Sequence, residues 1–127
     1  MDIVSALFVE QFDLRSVAGP STRIDLQGVF FSMAAPKPAP VTVEPHLVVL
    51  IRCRPDEPGQ GVLEVVFRRG EDEIARNVNP FTVDPGKFTY RLVRGELEFP
   101  TYDTVEAHCR IGTGPAVVVP LTLLPPV

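Results

Sequence analysis

The sequence predicts an all-β protein, an antiparallel β-sandwich of about eight strands with immunoglobulin-like or related Greek-key connections. Two observations carry this expectation. Fourteen prolines and nine glycines are scattered along 127 residues, which leaves few windows long enough for a helix. Between them lie short runs rich in Val, Ile, Leu and Phe that alternate with polar residues, as a strand with one buried and one wet face requires. The length fits one domain, residues 1–127, able to bury its own core.

The strands are expected near residues 2–12, 22–33, 46–54, 61–69, 72–78, 87–99, 103–111 and 115–124. "IVSALFVEQF" is apolar on both faces and reads as a central strand, with a short buried helix as the alternative. "GVFFSM" sets Phe30 beside Phe31 after Gly28, the mark of a bulge or of a strand covered on both sides. Ser32–Pro45, with Pro36, Pro38 and Pro40 alternating, reads as a stiff polyproline connection between sheets. "HLVVLIRCR" points Leu47, Val49, Ile51 and Cys53 inward, and "VLEVVFRR" does the same with Leu63, Val65 and Phe67. A turn at Gly70–Asp72 leads into the next strand, where "NPF" (Asn79–Phe81) reads as an Asn-Pro turn with Phe81 tucked into the core. After the Pro85-Gly86 turn, "KFTYRLVR" places Phe88, Tyr90 and Leu92 inward. "TVEAHCRI" alternates most cleanly, with Val105, Ala107, Cys109 and Ile111 inward against Glu106, His108 and Arg110.

The chain finishes on thirteen residues, Pro115–Val127, without a charge. Val117, Val119, Leu121 and Leu123 share one face of this last strand, and Ala116, Val118, Thr122 and Leu124 the other. Pro120 lacks an N–H and belongs at an edge or a bulge. An uncharged edge needs cover, either from a loop of the same chain, with the Pro-rich segment a candidate, or from a partner. Val117, Val119, Leu121 and Leu123 are therefore a candidate interface, with a protein partner or a second copy in a homodimer.

A net charge of −4 gives no electrostatic reason to expect nucleic acid or an anionic membrane. The opening lacks a basic leader, and no apolar run approaches about 20 residues, so a cytoplasmic protein is expected. Cys53 and Cys109 have the inward placement of an immunoglobulin inter-sheet disulfide, but the chain has no Trp, and Ala107 stands where that fold carries Tyr. Two buried thiols are the expected state. No zinc pattern, nucleophile elbow or phosphate loop is present, and strand neighbours His108 and Cys109 point to opposite faces. No enzyme, cofactor or metal is expected.

Two candidate binding features remain. Arg52, Arg54, Arg68 and Arg69 form an anion-binding cluster if their strands are neighbours, or else pair with acidic residues across strands. The acidic turns Asp56–Glu57 and Glu71–Glu73 offer oxygens to an ion, without the regular spacing of a dedicated loop. Across nearly the whole chain, "SALFVEQFD", "IDLQGVFFSM", "PHLVVLIRC", "LEFPTYDTVEAHCRIG" and "VVVPLTL" resemble an uncharacterised bacterial family of small single-domain proteins, a domain of unknown function. Thr101 stands where that family tends to carry Gly. The resemblance implies a β-sandwich and brings no catalytic residue, cofactor or partner. The expected function is a non-catalytic protein-interaction or structural accessory module, self-associating through its last strand. The alternative is an ion- or small-ligand-binding sandwich that uses the acidic turns.

Overall fold

The structure, a computed structural model, describes residues 1–19 and 21–127. Its strands are β1 (Asp2–Val17), β2 (Ser21–Phe30), β3 (Ser32–Ala34), β4 (Val41–Val43), β5 (His46–Arg52), β6 (Gln60–Arg69), β7 (Asp72–Thr82), β8 (Phe88–Arg94), β9 (Leu97–Phe99), β10 (Thr104–Ile111) and β11 (Val117–Leu124). No helix occurs among the described residues, so none is long and apolar enough to cross a membrane.

A four-stranded sheet in the order β2-β1-β5-β8 packs on a five-stranded sheet in the order β3-β11-β10-β6-β7, and β4 pairs with β9 in a small ribbon. The all-β sandwich is thus the fold. All pairings are antiparallel except β11 with β3, which run parallel at Thr122↔Ser32 to Leu124↔Ala34. Phe8, Leu47, Val49 and Ile51 from one sheet meet Leu63, Phe67, Val105, Ala107 and Leu121 from the other in a single core. Full burial of such a side chain contributes roughly 1.5–3 kcal/mol. Cys53 and Cys109 lie buried as free thiols. Burial pushes the Cys109 thiol up to about 12, so it stays protonated near neutrality.

Among the described residues eleven strands replace the expected eight, because the chain changes sheets inside two expected strands and adds a short one, β4, in the Pro-rich connection. At Phe31, β2 of the smaller sheet passes into β3 of the larger, so the paired phenylalanines mark a corner instead of a bulge. Phe30 packs toward the core, 6.1 Å from Phe8 between ring centroids, while Phe31 is exposed. The segment 87–99 breaks in the same way at Gly95–Glu96, between β8 and β9. Gly95 permits this corner, since a Cβ there would lie 2.8 Å from Cζ of the buried Phe67 ring. Within the Pro-rich connection, Val41–Val43 forms β4, with Val41 and Val43 buried. "NPF" forms no turn: Asn79 and Pro80 lie within β7, an edge strand where a missing N–H is tolerated. Phe81 is buried as expected.

Candidate functional site

The site grows from the β1–β2 hairpin. β1 leaves β5 at the Val9↔His46 pair, yet its pairing with β2 runs on to Val17↔Ser21. Residues 11–17 and 21–27 therefore form a two-stranded arm. At its root Gly28 adopts φ +66°, opposite a Glu10 side chain that a Cβ would strike at 2.6 Å. Only glycine takes both that conformation and that approach without cost.

The arm folds back over the outer face of its own sheet. Cross-strand pairing puts Leu7, Val9, Val48, Leu50, Tyr90 and Leu92 on that face, opposite the core. Phe12 of the arm stacks at 4.9 Å between ring centroids on Tyr90 of β8. Nearer the tip, Leu14 and Ile24 line a cleft of about 530 Å³ together with Phe88 and Tyr90. Under this cover Val9 and Val48 are as dry as core residues, although neither belongs to the core cluster. The cover is partial. Val4 remains 62% exposed, Phe88 56%, Leu14 46% and Leu92 42%. A second cleft of about 430 Å³, formed by Val4, Leu50 and Phe88 with Arg52 and Lys87, continues from the first past Phe88.

The rim of this face is cationic in a protein that is acidic as a whole. Arg23, Arg52, Arg91 and Arg94 form no ion pair among the described residues. Lys87 meets Asp84 at 3.6 Å, with both side chains mostly in water. Arg91 instead alternates to the core-side face of β8, where its guanidinium lies 5.2 Å from the Phe81 ring centroid and donates to the Tyr90 carbonyl at the strand margin at 2.8 Å. Along β8 and the residue before it three cations fall within eight residues, Lys87–Arg94, and among the described residues β5 is the one strand paired with β8.

The sites expected from the sequence fall elsewhere. Arg52 and Arg54 do not join Arg68 and Arg69, because β5 and β6 belong to opposite sheets. Arg54 reaches Asp2 at 3.1 Å, a hydrogen bond that raises its pKa, and Arg69 reaches Asp103 at 2.8 Å and the Glu98 carbonyl at 2.8 Å. Arg68 donates to the Glu71 carbonyl at 3.4 Å. This is the cross-strand and local pairing of a wet sheet face, and it leaves no shared anion site.

The apolar interface expected on β11 also dissolves. Val119, Leu121 and Leu123 point into the core and Val117 packs against it. β10 flanks the strand on one side, and the short β3 covers Thr122–Leu124 on the other. Thr122 N donates to the Phe31 carbonyl and Leu123 N to that of Asp103. By the same alternation the missing N–H of Pro120 falls on the β3 side, just past the end of β3, where no ladder bond is lost.

In the acidic turns two of the five carboxylates, Glu57 and Glu73, are already engaged. The Met1 ammonium and the Arg54 amide hold Glu57 below the ordinary carboxylate range, and Arg76 does the same for Glu73. No group of three or more metal-ligating side chains occurs among the described residues. Sequence reasoning missed the arm. Its signal is the apolar series Phe12, Leu14, Ile24 and Leu26 in a hairpin that outruns its neighbouring strand. Set against known proteins, the chain matches no family model, no curated protein and no solved structure.

Proposed function

We propose that the chain is a non-catalytic protein-interaction module that presents the arm-covered outer face of its smaller sheet to a protein partner. The observation that carries this reading is the cluster of Val4, Leu14 and Phe88 in water around one continuous cleft, with Leu92 exposed on the same sheet face. Contiguous exposed apolar surface with a polar rim is a feature of interaction sites, whereas single exposed hydrophobics are ordinary. The acidic turns support no second reading, since Glu57 and Glu73 are held by cations of the same chain.

Affinity capture from the source cells, with the wild-type chain and a Phe88→Asp/Leu92→Asp variant compared side by side, tests the reading. Both positions are exposed, so the variant should keep its stability within about 0.5 kcal/mol per position. Proteins retained by the wild type should disappear from the variant. Identical captured sets would remove the reading.

A further inference from the structure

We propose that the open margin of β8 receives an extended acidic segment of the protein partner, which pairs with it as a fifth strand of the smaller sheet. This deepens the interaction reading and rests on it. β8 ends the sheet order β2-β1-β5-β8, and no backbone hydrogen bond joins it to the arm among the described residues. The Lys87 carbonyl accepts from Cys53 N at 2.9 Å, so odd-numbered backbone groups of β8 face β5. Those of Phe88, Tyr90, Leu92 and Arg94 then face outward, ready to continue a ladder.

The Tyr90 carbonyl shows how this margin is protected. It is turned away from β5 and is capped by the guanidinium of Arg91, a charged side chain that blunts an unpaired edge. Because Arg91 has no ion pair among the described residues, a carboxylate on an incoming strand offers it a stronger acceptor than a neutral carbonyl does. Transfer of Arg91 to that carboxylate frees the carbonyl for a strand N–H. The cap thereby selects for acid in the segment that displaces it.

The flanking side chains specify the rest of the occupant. Phe88, Tyr90 and Leu92 stand on the outer face of β8 and favour apolar residues at alternate positions of the added strand. Lys87, Arg91 and Arg94 favour Asp or Glu between or beside them. A second copy of the chain is a poor occupant, because pairing of β8 with its own counterpart brings these cations against one another.

The test uses the whole chain and an acetylated peptide of about ten residues that alternates Val and Glu. A second peptide carries Lys for Glu, and a third keeps the Val/Glu sequence but is N-methylated at alternate backbone nitrogens. Fluorescence anisotropy should detect the Val/Glu peptide at or below about 1 mM, with the Lys peptide about tenfold weaker and the N-methylated one equally reduced. Amide protection in the complex should appear at Phe88, Tyr90 and Leu92. Equal binding of the N-methylated peptide overturns strand addition, as does protection mapped to β2 or β7. Failure of the Val/Glu peptide to bind by about 1 mM also overturns it. If partner capture still depends on Phe88 and Leu92 in any of these cases, the strand-addition proposal fails while the interaction reading stands.

Discussion

β11 and β8 exchange the roles their compositions advertise. β11 is uncharged and apolar on both faces, the profile of a strand awaiting a partner, yet Leu121 and Leu123 are sealed in the core and its terminal half is paired on both sides. β8 carries cations and reads as an ordinary wet strand, yet it ends its sheet with Phe88 and Leu92 in water. What separates them is sheet order. An apolar strand is safe when another strand borders it, and a charged one still offers its backbone when nothing does.

The largest test of this contrast is one substitution made in both strands. Leu121→Lys places a charge at a fully buried position and should cost more than about 4 kcal/mol in urea denaturation, enough to leave little folded protein. Phe88→Lys should stay within about 0.5 kcal/mol of the wild type. Equal losses at the two positions would break the comparison.

The corner that carries β8 into β9 comes next. Gly95→Ala should cost about 1–3 kcal/mol, because the new Cβ presses on a buried aromatic ring that has no room to yield. A thermal midpoint unchanged from the wild type would mean that this corner is looser than the geometry shows. At the root of the arm, Gly28→Ala should cost about 1 kcal/mol through its left-handed backbone, the Glu10 side chain being free to swing aside. The loss should be accompanied by weaker Phe12–Tyr90 contact, visible as altered Tyr90 side-chain NMR shifts.

The smallest effects belong to ion pairs at the surface and its margin. The folded-state pKa of Glu57 is depressed, first by the Met1 ammonium and then by the Arg54 amide. Its stabilisation is therefore present above the unfolded carboxyl value and fades as pH falls through the lower folded one. Glu73, held by Arg76, behaves in the same sense. Urea midpoints of Glu57→Gln and the wild type should differ slightly at neutral pH and converge in acid. A gap that widens in acid would contradict the sign.

Much of the fold was legible because alternation reports burial directly. The inward sets Leu47, Val49 and Ile51 of β5, and Val105, Ala107 and Cys109 of β10, are buried as their spacing requires. Alternation does not say which strands are neighbours. For that reason the Arg52, Arg54, Arg68 and Arg69 cluster failed, its two halves lying on opposite sheets. The same gap hid the corners at Phe31 and Gly95, where a strand keeps its period while it changes sheet. Phe88 and Leu92 were expected inside because they share a face with Tyr90, and they do share one, but it is the outer face. The arm was illegible for a different reason. Phe12, Leu14, Ile24 and Leu26 alternate as any hairpin would, and only the three-dimensional path shows the arm closing over the outer face, with Phe12 on Tyr90 and Leu14 and Ile24 across the cleft from Phe88.

That closure gives the molecule two tiers of denaturation. Lifting the arm wets Val9 and Val48 but leaves both sheets paired and the central core intact, so it is a smaller reaction than global unfolding. Protease attack on the lifted tip would therefore produce a nicked molecule whose fragments stay associated through the remaining β1–β2 and β1–β5 ladders, migrating as one body until denaturant separates them.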